Sequence, residues 1–100
     1  MAPNRIRLTA EAEDDLAQIY RFVRRSSGSA EVARNYAARI RAFLNTFDTF
    51  PERGSIRDAI RPGLRIVGFE RRVSVAFVVE AENVVILRIL YAGRQFDEPQ

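Results

Sequence analysis

Val73-Ser74-Val75-Ala76-Phe77-Val78-Val79, then Glu80-Ala81-Glu82-Asn83, then Val84-Val85-Ile86-Leu87-Arg88-Ile89-Leu90-Tyr91: this run decides the fold. Its two apolar segments are rich in β-branched and aromatic residues, and the short polar stretch between them marks a hairpin of adjacent antiparallel strands. Strands this apolar need a covering layer. Just upstream, Arg61-Pro62-Gly63 signals a turn, and Leu64-Arg65-Ile66-Val67-Gly68-Phe69 reads as a further strand weakened by Gly68.

The covering layer lies nearer the N-terminus. Arg5-Ile6-Arg7-Leu8 alternates polar and apolar residues, as a short opening strand does. Thr9 stands at an N-cap position, with Glu11, Glu13, Asp14 and Asp15 in the turns where negative charge suits the helix dipole. Leu16, Ile19, Tyr20 and Val23 then recur at the spacing of one buried helical face, Arg21, Arg24 and Arg25 fill the last turn, and Ser26-Ser27-Gly28 ends the helix. Ser29 caps a second helix with the stripe Ala33, Tyr36, Ala37, Ile40, Phe43, Leu44 and Phe47, and Phe50-Pro51 stops it. The joint is short, so the helices form an antiparallel hairpin. The segment from Pro51 to Ile60 has no period and reads as a surface connection.

The expected fold class is therefore α+β over 1–100 as a single domain, an antiparallel sheet in the order β-α-α-β-β-β with the N-terminal helical hairpin packed on one face. Alternation puts Val73, Val75, Phe77 and Val79, and on the next strand Val85, Leu87, Ile89 and Tyr91, on the covered face. The other face then carries Ser74, Ala76, Val78 and Glu80 beside Val84, Ile86, Arg88 and Leu90. It is either a modest exposed patch around Val78, Ile86 and Leu90 or a docking surface for another chain.

With 47% hydrophobic residues in 100, the chain can bury a core without disulfides or metal, and it has no cysteine. No apolar run approaches a membrane span, so no membrane partner is expected. Met1-Ala2-Pro3-Asn4-Arg5 lacks the apolar core of a secretory signal, which makes a cytoplasmic location the default expectation. All sixteen cations are arginine and there is no histidine, giving a net charge of +3. Genomic base composition accounts for such a bias. Arginine is nonetheless the side chain suited to bidentate carboxylate or phosphate contacts, so an acidic partner fits.

In this order the pieces resemble the ParE/RelE superfamily of bacterial type II toxins, and more closely its ParE branch. The resemblance spans nearly the whole chain and rests on Ala12-Glu13-Asp14-Asp15-Leu16-Ala17-Gln18-Ile19, on Phe50-Pro51 with nearby Gly54, on Arg61-Pro62-Gly63-Leu64-Arg65, and on Ile89-Leu90-Tyr91-Ala92-Gly93-Arg94-Gln95. It implies a toxin neutralised by a ParD-like antitoxin, with operator DNA reached only through that antitoxin and DNA gyrase as the target. RelE relatives instead cleave messenger RNA on the ribosome.

That cleavage needs groups to activate the 2′-hydroxyl, stabilise the phosphorane and protonate the leaving oxygen. Arg72, with Arg71 as an ambiguous neighbour, and Arg94 match two RelE arginines by position. The chain has no lysine or histidine, and its tail offers Phe96 where a phenol is wanted. No catalytic residue is assigned, and no enzyme activity, cofactor, metal or small-molecule substrate is expected. The candidate contacts to antitoxin or target are Arg65, Arg71, Arg72, Arg88, Arg94 and Phe96. Arg71, Arg72 and Arg94 are either solvated rim charges or partner-facing. Arg88, within an apolar strand, either snorkels to water or pairs with an antitoxin carboxylate. Phe96 is either a tail anchor or a target contact. Glu13, Asp14 and Asp15 point in different directions from one helix, and the dipole explains them better than a metal does.

Overall fold

The computed structural model describes residues 5–91. β1 (Arg5–Leu8) leads through Thr9 into α1 (Ala10–Ser27), and α2 (Ala30–Asn45) follows directly. A 3₁₀ turn (Thr46–Asp48) precedes β2 (Ser55–Ile56), β3 (Arg65–Phe69), β4 (Val73–Glu80) and β5 (Asn83–Tyr91). Both expected caps form: the Thr9 hydroxyl accepts from Ala12 N at 3.0 Å and the Ser29 hydroxyl from Val32 N at 3.1 Å. Gly28 closes α1 in the left-handed region (φ 72°), donating to Arg24 O at 2.9 Å. Glu13 near the start of α1 meets Arg41 near the end of α2 at 3.3 Å, so the helices run antiparallel.

The helical stripes pack on β4 and β5. Leu16, Ile19, Ile40, Leu44 and Phe47 are buried against Val73, Val75, Phe77, Val84, Ile86 and Ile89. Phe47 meets Phe77 edge-on at 4.8 Å, and Phe43 stacks on Phe69 at 4.7 Å.

The α+β architecture stands, with three corrections to its details. First, the sheet is mixed. Its order is β1-β5-β4-β3-β2, and β1 pairs in parallel with β5, Leu8 opposite Ile86. The helical hairpin carries the chain from β1 to the far edge of the sheet, and the antiparallel β2–β3, β3–β4 and β4–β5 pairs bring β5 back alongside β1 in the same direction, which the sequence order alone does not reveal. Second, Ser55 and Ile56, within the expected connection, form a two-residue strand on β3.

Third, β5 changes face. Ala76 pairs with Arg88 but Phe77 pairs with Ile86, so one residue of β5 is extra. This bulge resets the alternation. Val84 and Ile86 turn to the helices, while Val85 and Leu87 join Ile66 against a second cluster of Leu64, Ala76 and Val78 on the far face. The far-face patch expected from Val78, Ile86 and Leu90 is therefore absent: Ile86 belongs to the main core, and Val78 and Leu90 are each only 5% exposed.

The loop before β2 is fastened by Arg53. Its Nε donates to Phe50 O at 2.7 Å, Nη1 to the Thr46 hydroxyl at 2.9 Å and Nη2 to Thr46 O at 3.2 Å, while the guanidinium lies 4.5 Å from the centre of the Phe47 ring. Arg53→Ala is expected to lower unfolding free energy by about 1–2 kcal/mol in urea denaturation, and Arg53→Lys to recover less than half, because one ammonium cannot replace the fork.

Candidate functional site

The β4–β5 register places Val73 opposite Tyr91 at one end of the sheet and Glu80 opposite Asn83 at the other. Charge follows this axis. The β4–β5 turn carries Glu80 and Glu82, whereas the β3–β4 turn, Glu70-Arg71-Arg72, carries two exposed arginines. At that second end the Tyr91 ring lies 5.3 Å from Phe22 of α1 and 6.1 Å from Tyr36 of α2. Arg39, one turn beyond Tyr36, sits 5.0 Å from its ring centre.

Arg39 also grips the turn: Nε and Nη2 donate to the two Glu70 carboxylate oxygens at 3.0 and 3.1 Å. That contact holds the Glu70 carboxyl below its ordinary value and the Arg39 guanidinium above its own. The carboxylate is thus favoured in the folded state, so the pair contributes above the unfolded glutamate value and its contribution fades as pH falls through the folded one. Burial, then the nearby Tyr91 and Glu70, raise the Tyr36 phenol above its ordinary value, with Arg39 and Arg72 opposing. It remains a protonated hydrogen-bond donor at neutral pH.

Between α1 and the end of β5 opens a cleft of about 330 Å³. Ile19, Ile89, Phe22 and Tyr91 give it apolar walls; Gln18, Arg21 and Arg25 give it polar ones. Phe22 is 42% exposed. Among the described residues no group of three or more His, Cys, Asp or Glu is placed to hold a metal ion, and no helix is long and apolar enough to cross a membrane.

Of the arginines singled out from sequence, Arg71 and Arg72 meet at this end. Arg65 lies inboard, half-buried on β3, its Nη1 3.5 Å from Arg53 O. Arg88 is engaged within the chain: Nε and Nη2 donate to the Asp15 carboxylate at 2.7 and 2.9 Å. Arg94 and Phe96 lie outside the described residues. Sequence reasoning missed Arg39, Glu70, Tyr36 and the cleft around Phe22. One signal was available: Phe22 falls off the buried stripe of α1 and sits directly beside Arg21.

A family model described as "ParE toxin of type II toxin-antitoxin system, parDE" matches residues 6–96. The curated protein Toxin ParE3 of Caulobacter vibrioides is 34% identical over 86 residues, covering 86% of this chain and 84% of that protein. A solved structure titled "Chromosomal ParDE TA system from P. aeruginosa" superposes with a TM-score of 0.77 at 27% identity, covering 89% of this chain and 96% of that one.

Proposed function

The chain belongs to the ParE family of toxins of type II toxin–antitoxin systems, and on that premise we propose that it acts by binding DNA gyrase, without catalysis, and is held inactive by an acidic antitoxin. The observation that carries the non-catalytic half is the state of the ionisable groups beside Arg72. Tyr36 is pushed away from deprotonation and Glu70 is committed to Arg39. The lack of histidine and lysine in the chain supports reading this end as a positively charged contact surface rather than one that takes a proton from a 2′-hydroxyl. The antitoxin half is supported by the Pseudomonas ParDE system to which the fold is similar and by the excess of exposed arginine.

One observation favours the RelE-like ribosome-dependent endoribonuclease: two tyrosines, Tyr36 and Tyr91, converge at the end that carries Arg72. Induction in a host carrying an SOS reporter, with transcripts mapped in parallel, separates the readings. Gyrase poisoning should induce SOS while transcripts stay whole, and co-expression of the acidic protein encoded beside the toxin should restore growth. Cleaved messages without SOS induction would establish the rival.

A further inference from the structure

Phe69 pairs with Val73, so Glu70, Arg71 and Arg72 make the whole β3–β4 turn. Glu70 has φ 50° and Arg71 φ 65°. Tight hairpin turns use positive φ, and Gly or Asn adopts it readily. Glu and Arg do so only under backbone strain. Nor does the Arg39–Glu70 pair account for the choice through stability, because both side chains are largely solvated, at 52% and 40% exposure, where ion pairs contribute little. What the pair does is fix the turn to α2, so that Arg71 and Arg72 stand just before Val73, the residue paired with Tyr91 of the cleft wall.

We propose that Glu70 is a positioning residue: clamped by Arg39, it holds a strained turn that presents Arg71 and Arg72 as a fork for carboxylates of the antitoxin, while an apolar side chain of the same segment enters the cleft between α1 and β5. This rests on the reading of the chain as an antitoxin-neutralised toxin. The cleft favours a protein segment over a nucleic acid. Its aromatic rings meet at 57° and leave no parallel faces between which a base slides, and Ile19 and Ile89 supply aliphatic walls. Arg21 and Arg25 line the same cleft along α1, so cations border the apolar seat, matching an apolar residue set among acidic ones.

Glu70→Asn provides a test whose sign is informative. Asparagine tolerates the left-handed region, so the turn survives. The substitution removes an anion from a basic surface, and electrostatics alone then predicts tighter binding of an acidic partner. Positioning predicts the opposite. We expect the variant, checked by urea denaturation to be folded, to bind the purified acidic protein of the adjacent reading frame a few-fold more weakly, the scale an exposed ion pair can supply. Arg71→Ala/Arg72→Ala should weaken it further. Ala81→Gly, which relieves the left-handed residue (φ 47°) of the opposite turn, should raise stability and leave affinity unchanged. Unchanged or tighter binding by folded Glu70→Asn would overturn the proposal while leaving the toxin–antitoxin reading intact. Failure of the unaltered toxin to bind that protein would overturn both. A short single-stranded oligonucleotide serves as the other arm: if its binding, rather than the protein's, responds to Glu70→Asn, the partner is a nucleic acid and the proposal falls.

Discussion

Asp15→Ala is expected to lower the unfolding free energy by about 2–3 kcal/mol, because it leaves a buried N–H unpaired and strips a part-buried guanidinium of its partner. For a domain of this size that is a large part of a total of about 5–15 kcal/mol. Asp15 is only 8% exposed. Its Oδ2 accepts from Arg88 Nε at 2.7 Å and from the buried Ile89 N–H at 2.8 Å, and Oδ1 accepts from Arg88 Nη2 at 2.9 Å. These bonds replace a strand. β1 ends at Leu8, leaving the rest of the β5 edge without a backbone partner, and the chain supplies side chains instead. The Thr9 hydroxyl donates to Leu87 O at 2.8 Å, and Asp15 takes the next free N–H. Removing the carboxylate orphans that N–H and leaves a guanidinium, 33% exposed, without its bidentate partner. Asp15→Asn should recover little, since its amide turns an N–H toward the guanidinium or toward Ile89 N–H. Asp15→Ala/Arg88→Ala should cost less than the sum of the two single changes, because the double variant leaves no unpaired charge. Urea midpoints for the four proteins decide the matter, and a single-variant loss under about 1 kcal/mol would place the pair among ordinary surface bridges.

Gly54→Ala is expected to cost about 2–4 kcal/mol through two separate penalties. Gly54 has φ +77°, and a Cβ there would collide with the Ile66 carbonyl, whose carbon would lie 2.8 Å away. The obstacle is backbone and has no rotamer to yield. Relief requires moving the chain off β3, which breaks the pairing of Ser55 with Ile66 and Ile56 with Arg65. Gly63 isolates the steric part. It has φ +79° with nothing within 4 Å of an added Cβ, so Gly63→Ala should incur only the conformational cost of about 1 kcal/mol. Equal losses at both positions would show that the contact with Ile66 is easily relaxed.

The helices were legible because their signals are local. Thr9 and Ser29 cap where a hydroxyl precedes an apolar period, and the stripes from Leu16 to Val23 and from Ala33 to Phe47 identify the covering face. The sheet was legible in content but not in arrangement. Nothing in Ile86-Leu87-Arg88-Ile89 announces a bulge, since its apolar residues suit either face, and a strand of two residues such as Ser55-Ile56 owes its existence to its neighbour rather than to its own propensity. The ion pair had left traces. Asp15 falls on the stripe of Ala12, Leu16 and Ile19, and Arg88 stands among apolar strand residues; two misplaced opposite charges on elements meant to pack together point to one another. The basic end was harder to see. Arg39, Glu70 and Tyr91 lie far apart in the chain and meet only through the β3–β4 turn and the last pair of the β4–β5 ladder, so their assembly awaited the register.

The parallel pairing of β1 with β5 also bears on how the molecule is made. Thr9 and Leu87 are separated by 78 positions and Asp15 and Ile89 by 74, so the helical hairpin is synthesised well before the strand that fastens it exists. A nascent chain ending short of residue 83 has neither the edge that β1 completes nor the backbone N–H that Asp15 accepts. Closure of the sheet is thus deferred until β5 has been synthesised, and a product that stops before β5 cannot acquire the finished surface.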